Sequence, residues 1–402
     1  MKTKVAIIGT VGLPAKYGGF ETLASHLVKH LKNKFDFTVY CSSKSYTKEE
    51  QQTHYQSARL KYIPFKANGV QSILYDALSI FHALFYADVL LVLGVAGAWT
   101  FPFIKWFTNK KIIVSIDGIE WKRDKWNLLA KGYLFWAESV AVKYSNIDIS
   151  DNESIQDYTA MRYNSLSRII EYGADHTIKS AITFKDIQKF PFLAGAYAFK
   201  VCRIEPENNV GMVLEAFSKL PKYNIVVVGN WNNSAYGLKL RLQYESFKNI
   251  HLLDPIYDQK TLDILRGNAL LYIHGHSAGG TNPSLVEAMY LGLPIASFGV
   301  SYNRTTTENK AHYFRSSDDL VNIIKSTQVS QLKRQGHLMK TIAKRRYTWE
   351  IIADKYQNLI YEAMVVKSKS SVQKPINYQL NAHLNQMELG HLHSQQLFFE
   401  KR

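Results

Sequence analysis

Cysteine is scarce in this chain. Only Cys41 and Cys202 occur among its 402 residues, and they lie far apart in the sequence. Two such residues cannot build a disulfide framework or a Cys-x-x-Cys metal site, and this scarcity is typical of proteins from a reducing compartment. A disulfide-stabilised secreted domain is therefore excluded.

The sequence also lacks a long uninterrupted apolar run. The uncharged stretch 89–104 is broken by Gly94, Gly97 and Pro102, whereas a membrane-spanning helix needs about 20 predominantly apolar residues. We therefore expect no spanning helix. The N-terminal MKTKVAIIGTVGLPA has lysines before an apolar run, as signal peptides do. Because this run is short and contains glycines, we interpret it as a first β-strand.

Acidic residues are outnumbered by basic ones. The chain has 33 Asp and Glu against 49 Lys and Arg, which gives a formal net charge of +16. Such an excess favours an anionic partner, namely a phosphate-bearing substrate, a membrane surface or nucleic acid. Because the basic residues are dispersed and no nucleic-acid recognition motif occurs, we expect no nucleic-acid partner.

Strand-like apolar runs alternate with helical patterns through most of the chain. A first series comprises KVAIIG, FTVYCS, DVLLVLG, KIIVSID and NIDIS, and a second comprises AYAFKVCR, NIVVVGN, NIHLLD, ALLYIHG and PIASFG. Continuous apolar strands between helices are typical of parallel sheets covered on both faces. The pattern predicts an α/β protein with two doubly wound, Rossmann-like domains joined near residues 175–195, and ligand sites beyond the carboxyl ends of the strands.

The loop after the first strand, GTVGLPAKYGG, contains candidate ligand-binding glycines. Gly18 and Gly19 allow backbone N–H groups to approach a ligand, and they precede a helix N-terminus, which favours anions. The loop reads GxxG rather than GxGxxG, so it is not the dinucleotide fingerprint. We favour contact with a ligand over a plain tight turn.

A second glycine loop lies in HGHSAGGTNPSLVEAM, residues 274–289. We predict a helix over 283–291 that is capped by Thr281 or Asn282. Gly279 and Gly280 expose N–H groups at its positive end, which suits a diphosphate. Glu287, one turn further on, can accept hydrogen bonds from a ribose diol, and the alternative is a solvated helix glutamate.

The same stretch begins with a His-x-His pair. His274 and His276 would share one face of a strand, so metal binding is one interpretation. No third ligand has a suitable spacing. We therefore favour contact of His276 with the ligand.

Several motifs together resemble bacterial glycosyltransferases of the GT-B fold: GTVGLPAKYGGFETLA, DGIEWKRDKW, SDN, EYGAD and GGTNPSLVEAM. The resemblance is to the rhamnosyltransferase-like branch of glycosyltransferase family 4, in which a DUF1972-type domain precedes a glycosyl transferases group 1 domain. It covers most of residues 3–365 and implies two Rossmann-like domains that face each other across a cleft. The implied parts are an acceptor-side domain over 1–180, a nucleotide-sugar domain over 190–345, a closing helix over 346–366 that packs back toward the N-terminal domain, and a polar tail over 367–402.

The resemblance assigns a role to Glu287. It matches the second glutamate of the family's E-x7-E motif, which holds the nucleotide ribose. The first glutamate of that motif falls at Gly279 in this sequence. Backbone N–H groups of Gly279, Gly280 and Thr281 are the expected substitutes.

Arg203 matches the arginine that neutralises the donor diphosphate, and the alternative is a surface ion pair with Glu205 or Glu207. The lysine that usually follows five residues later is replaced by Asn208, which we also place in the donor site. In the N-terminal half, Asp117 and Glu120 of DGIEW are candidates to stabilise a developing oxocarbenium ion or to orient the acceptor. Asp117 as a simple turn residue is an equal alternative.

These matches imply a retaining, metal-independent glycosyltransferase that needs no cofactor. The expected donor is dTDP-L-rhamnose, and the expected acceptor is a lipid-linked saccharide in capsule, exopolysaccharide or O-antigen synthesis. The alternatives are a sugar-nucleotide epimerase of similar shape and a catalytically impaired nucleotide-sugar-binding module.

Aromatic and basic residues interleave in the N-terminal half. The residues concerned are Trp106, Trp121, Trp126, Lys110, Lys111, Lys122, Arg123 and Lys125. Such a mixture suits an anionic bilayer interface, and core aromatics beside solvated lysines are the alternative. We expect a cytoplasmic protein that is peripheral on the inner face of the cytoplasmic membrane.

Overall fold

The computed structural model describes residues 2–16, 18–116, 118–122 and 126–371. The chain forms two compact units: the first comprises the residues up to Tyr172 and those from Trp349 on, and the second comprises Gly173–Thr348. The strands are Thr3–Ile8 (β1), Phe35–Ser42 (β2), His54–Tyr55 (β3), Ala58–Ile63 (β4), Val89–Leu93 (β5), Lys111–Ser115 (β6), Ile147–Ser150 (β7), Arg168–Ile169 (β8), Tyr197–Val201 (β9), Asn224–Val228 (β10), Ile250–Leu253 (β11), Leu271–His274 (β12), Ile295–Phe298 (β13) and His312–Phe314 (β14).

Helices follow most of these strands. They span Gly19–Leu31 (α1), Ser72–Ala83 (α2), Phe101–Phe107 (α3), Leu128–Tyr144 (α4), Glu153–Tyr163 (α5), Phe184–Lys189 (α6), Val210–Ser218 (α7), Ala235–Tyr244 (α8), Gln259–Gly267 (α9), Pro283–Tyr290 (α10), Ser301–Thr306 (α11), Ser317–Ser326 (α12), Val329–Arg346 (α13) and Trp349–Val365 (α14). Among the described helices, none combines the length and the apolar character that crossing a bilayer requires.

Each unit is built on one sheet. The first sheet has the order β3-β4-β2-β1-β5-β6-β7-β8, and all its pairs are parallel except β3 with β4. The second has the order β11-β10-β9-β12-β13-β14 and is parallel throughout. The strand order reverses between β1 and β5 in the first sheet and between β9 and β12 in the second. Such switch points leave a crevice at the carboxyl ends of the two central strands.

The apolar runs account for the centre of both sheets. All ten predicted strands are present, and the predicted parallel α/β class is confirmed. Four strands were missed: β3, β4, β8 and β14. In β4 the sequence ARLKYI places charged residues between apolar ones, and the other three have only two or three residues. Strands near a sheet edge bury less surface, so their apolar signal is weaker.

The last described helix belongs to the first unit. α14 contacts α1, β5 and β6, and the Trp349 indole stacks on the His26 ring with 4.1 Å between centroids. Arg168 in the edge strand β8 forms an ion pair with Glu362 of α14 at 2.5 Å. The chain thus returns to its N-terminal sheet after completing the second unit.

The segment 118–122 is buried more deeply than the sequence suggests. Trp121 and Lys122, expected at a membrane surface, are both buried. The Trp121 indole donates to the Tyr158 hydroxyl at 3.3 Å, and the Lys122 ammonium lies 4.7 Å from the centroid of the Trp121 ring. The expectation was wrong for these two residues because α4 and α5 supply an aromatic pocket that the local sequence does not show.

Some predicted residues lie outside the described ranges. They are Asp117, Arg123, Lys125 and the tail beyond residue 371.

Asp76 is a buried acid on the inner side of α2. Its Oδ1 atom has no hydrogen-bond partner within the described ranges. Burial raises the pKa of this carboxyl to about 8, although the backbone N–H of Gly97 acts in the opposite direction. Asp76 is therefore protonated in the folded chain at neutral pH.

This protonation predicts a loss of stability as the pH rises from acid to mildly alkaline values. Between the ordinary pKa of 3.8 and about 8 the unfolded chain releases a proton that the folded chain keeps, so stability falls as the pH rises through this range. Asp76→Asn preserves the shape of the neutral acid. From pH 7 to 9 the wild type should lose about 1 kcal/mol more than the variant, which is roughly 2–4 °C in Tm. Parallel Tm–pH curves for the two proteins would contradict the assignment.

Candidate functional site

The switch point of the second unit brings two loops together. The loop after β9 and the loop after β12 follow neighbouring strands. Ser277 donates from both its N–H and its hydroxyl to the Glu207 carbonyl, at 2.8 and 2.9 Å. The Asn209 amide donates to the Gly275 carbonyl at 2.8 Å. The two loops therefore form one continuous surface at the carboxyl end of the sheet.

The start of α10 lies on this surface. Asn282 is the N-cap, and its side chain accepts from the Ser284 N–H at 3.1 Å, while the predicted alternative cap, Thr281, is buried. Gly279 has φ +124°, and a Cβ placed there would meet open space. A glycine is thus favoured at position 279 by the positive φ angle of the backbone and not by a lack of space for a side chain. Gly280 is half-buried beside it, and the loop leads into a helix N-terminus that favours an anion.

Arg203 reaches solvent from the β9 loop. Its side chain is 40% exposed, and its Nε lies 3.8 Å from Glu205 Oε2, which is too long for a hydrogen bond. The guanidinium is therefore available to a ligand, although the predicted ion pair with Glu205 is present in this loose form.

Asn208 does not lie at the surface. It is buried, and its amide donates to the Arg203 carbonyl at 2.7 Å. This position corrects the expectation of direct contact with a donor, because the amide is used inside the loop. Asn208 instead holds the main chain from which Arg203 projects.

Lys200 is a cation that sequence analysis missed. It is fully buried on β9, and its Nζ has no hydrogen-bond partner within the described ranges. A Cβ on Gly275 would lie 2.8 Å from this Nζ, so the amine sits directly beneath the β12 loop. Burial lowers the pKa of Lys200, although the neighbouring Cys202 thiol opposes the shift. A lysine within the apolar strand AYAFKV was the available signal.

Glu287 belongs to a network of charged side chains. Its Oε2 accepts from the Arg266 guanidinium, and its Oε1 lies 3.1 Å from His176 Nε2. Arg266 is buried and also pairs with Asp263 at 3.3 Å. The solvated-glutamate alternative is therefore wrong. The side chain is 16% exposed, and a carboxylate has about four acceptor positions, so further hydrogen bonds to a ligand are available.

This network keeps Glu287 ionised. Burial alone would raise its pKa, but the Arg266 charge and the His176 hydrogen bond lower it to about 2. The carboxylate is therefore only a hydrogen-bond acceptor. Sequence analysis missed Arg266, Asp263 and His176 because they come from α9 and from the segment after Gly173, distant from Glu287 in sequence.

The two histidines stack on each other. The rings of His274 and His276 have centroids 4.3 Å apart, and the His276 carbonyl accepts from Asn303 at 2.9 Å. Burial and the Lys200 charge hold the pKa of His274 well below its ordinary value, so it is neutral. Within the described ranges, no group of three His, Cys, Asp or Glu side chains has the arrangement of a metal site.

In the first unit, Gly18 and Gly19 lie at the start of α1. Gly18 has φ +132°, and a Cβ there would collide with the Glu21 carboxylate. That carboxylate accepts from the Val11 N–H at 2.6 Å. The glycine thus allows Glu21 to hold the loop after β1, and contact of Gly18 and Gly19 with a ligand stays a prediction.

Glu120 is half-buried beyond β6, and its Oε1 accepts from the Trp126 indole at 3.1 Å. Its catalytic role, like that of Asp117, stays a prediction.

The Glu287 network predicts an acid-labile contribution to stability. Because the pKa of Glu287 lies below its ordinary value of 4.5, the contribution is complete above about pH 4.5 and is lost as the pH falls to about 2. Glu287→Gln leaves the Arg266 charge with fewer partners and should cost about 3 kcal/mol at pH 7. Denaturant unfolding of both proteins should show this difference shrinking between pH 5 and pH 2. A difference independent of pH would contradict the network.

Comparison with known proteins is consistent with this architecture. The family model described as Domain of unknown function (DUF1972) matches residues 2–175, and Glycosyl transferases group 1 matches residues 184–326. No curated protein matches the sequence.

Solved structures share the fold at low sequence identity. Sucrose-phosphate synthase from Thermosynechococcus elongatus is 13% identical over 90% of this chain and 99% of its own, with a TM-score of 0.73. Anabaena Alr3699/HepE in complex with UDP and glucose is 13% identical over 90% of this chain and 100% of its own, with a TM-score of 0.68. A candidate UDP-N-acetylglucosamine 2-epimerase from Listeria monocytogenes is 13% identical over 94% of this chain and 100% of its own, with a TM-score of 0.58.

The second family match covers the loops that carry Arg203, Gly279 and Glu287. The two family matches and the shared architecture lead to one conclusion. The chain is a glycosyltransferase with the GT-B fold.

Proposed function

We propose that this glycosyltransferase binds a nucleotide sugar in its second unit, at the carboxyl ends of β9 and β12. One observation carries the proposal: Arg203 and the N-terminus of α10 supply positive charge at the switch point above the buried Lys200 amine, and the fixed anion Glu287 follows in the same helix. The positively charged groups suit a diphosphate, and the Glu287 carboxylate suits a ribose diol. The Anabaena relative, whose structure contains UDP and glucose, supports this ligand class.

In the proposed reaction the bond between the anomeric carbon and the diphosphate oxygen breaks, and the acceptor hydroxyl oxygen forms the new bond on the same face. The leaving diphosphate gains negative charge as the bond lengthens. Arg203 and the N–H groups of the Gly279 loop stabilise that charge without having to reorganise. The acceptor proton passes to the departing phosphate or to a nearby carboxylate.

Glu287 contributes to binding rather than to the chemical step. Its carboxylate is held by Arg266 and His176 before a donor arrives. Little conformational entropy is therefore lost when ribose hydroxyls donate to it. Its negative charge at neutral pH makes these hydrogen bonds stronger than those to a neutral acceptor.

The finer proposal is a retaining transfer of rhamnose from dTDP-L-rhamnose to a lipid-linked saccharide. It is supported by the resemblance of GTVGLPAKYGGFETLA and DGIEWKRDKW to rhamnosyltransferase-like enzymes. Gly279 presents only backbone to the sugar, so hydroxyl recognition relies on N–H groups. Screening nucleotide sugars by thermal shift, and then for transfer to a lipid-linked saccharide, tests this assignment. Conversion of a nucleotide sugar without an acceptor would indicate an epimerase instead.

The ribose contact predicts a selective loss in Glu287→Ala. UDP or dTDP should bind roughly tenfold or more weakly, as expected for a lost hydrogen bond to a charged group, whereas inorganic pyrophosphate, which has no ribose, should bind as in the wild type. Isothermal titration of both ligands measures the difference. The matched control is Glu245→Gln, an exposed glutamate after α8. Equal weakening of nucleotide and pyrophosphate would show that Glu287 only supports the loop.

The diphosphate role predicts a catalytic loss in Arg203→Met. Removing one preorganised group that stabilises developing charge costs about 100-fold or more in kcat, and the measurement is steady-state transfer with the donor found in the screen. Arg241→Met is the control, since Arg241 forms an ion pair with the exposed Asp254 at 2.7 Å. A kcat for Arg203→Met within twofold of the control would exclude Arg203 from the reaction.

A further inference from the structure

The outer face of α2 is apolar. Leu74, Leu78 and Phe81 of the helix, and Phe85 just after it, are all exposed. Their spacing of four, three and four residues places them on one side of the helix. Phe85 is 89% exposed. A helix at the surface of a soluble domain ordinarily has polar residues on this side, and the acid of α2, Asp76, lies on the buried side instead.

The same character continues on the next two helices. Exposed large apolar side chains on α3 and α4 are Phe103, Trp106, Phe107, Leu128, Leu129 and Trp136. The short turn Ala98–Thr100, which leads into α3, contacts both α2 and α4. Its Trp99 ring lies 6.2 Å from that of Phe81.

These helices share one face of the first sheet. α2, α3 and α4 each lead to a strand further along the same direction of the sheet, and right-handed crossovers therefore place them on one side. α1 connects in the opposite direction and packs with α14. The exposed residues of α2, α3 and α4 together are called the apolar surface below. A patch of this kind on a soluble domain indicates an interaction site.

Within the described ranges, the exposed charged residues of the segment that carries the apolar surface are basic. Residues 60–146 contain six acids and ten bases. The acids within the described ranges are buried or half-buried, whereas Lys66, Lys105 and Lys143 are exposed. Lys105 lies between Phe103 and Trp106 in the sequence of α3. The surface therefore combines apolar side chains with cations and shows no exposed acid within the described ranges.

We infer that the apolar surface docks on an anionic lipid bilayer. Lysine is depleted from the cores of protein–protein interfaces, where tryptophan and phenylalanine are common. At a bilayer the same mixture is favourable, because the rings enter the headgroup region and lysine ammoniums reach lipid phosphates. Lys105 among exposed aromatic residues therefore favours lipid over a second copy of the chain. Of the residues expected from the sequence, Trp106 lies on this surface and Trp121 is buried, whereas the apolar residues of α2 were not among those expected.

The test is sedimentation with vesicles of phosphatidylcholine alone or mixed equally with phosphatidylglycerol. The full chain should bind the mixed vesicles, and binding should weaken in pure phosphatidylcholine and in high salt. Leu78→Glu/Phe85→Glu should lower the partition coefficient at least about tenfold, because it removes apolar contact and adds like charge. The matched control is Leu242→Glu, at a residue of α8 in the second unit that is 72% exposed, and its binding should equal that of the wild type.

Two further measurements complete the test. If the Leu78→Glu/Phe85→Glu variant of α2 unfolds, the vesicle sedimentation is repeated with Phe107→Ser, which changes an exposed residue of α3. Vesicles should shift Trp fluorescence to the blue, and Trp106→Phe should reduce the shift. Unchanged binding by both surface variants would overturn the proposal, and so would a lipid-free dimer in sedimentation velocity that these variants abolish. Nucleotide affinity is measured without vesicles, so failure here would leave the proposed donor site intact, and the reverse also holds.

Discussion

The ion pair between Arg266 and Glu287 is the interaction on which the second unit's site depends. Arg266 is buried, so its charge requires a partner, and Asp263 and Glu287 provide two. The pairing fixes α10 against α9. His176, in the segment that enters the unit, contacts the same Glu287 carboxylate. A carboxylate held in this way is a rigid acceptor beside the loop that begins at Gly275. The side chain that is proposed to bind the ligand therefore also holds α9 and α10 together.

Positive charge at this site is distributed in an unusual manner. Arg203 reaches solvent, while Asn208 is buried and supports the loop. Lys200 lies directly beneath Gly275 and has no hydrogen-bond partner within the described ranges. An unpaired amine in this position is costly to bury, and an anion bound above it would offset that cost.

The helices of the first unit differ in how they cover its sheet. Its central strands are covered on one side by α1 and α14, whereas α2, α3 and α4 leave aromatic and aliphatic side chains at the surface. Glu21 and Gly18 shape the loop after β1 from within. The proposed donor site and the proposed bilayer contact thus lie in different units, so a substitution can be made in one without altering the other.

The sequence by itself determined ten of the strands, the α/β class and the helix that starts at Pro283, and it singled out Arg203 and Glu287 as candidate site residues. These features arise from local patterns, since a buried parallel strand is mostly apolar and a helix start requires a cap. Only the tertiary structure decided that Arg266 and His176 hold Glu287, that Lys200 lies under Gly275, and that Trp121 is buried while Phe85 is exposed. Each depends on segments far apart in the chain, and local sequence carries no information about which distant side chain will supply a charge or cover a ring.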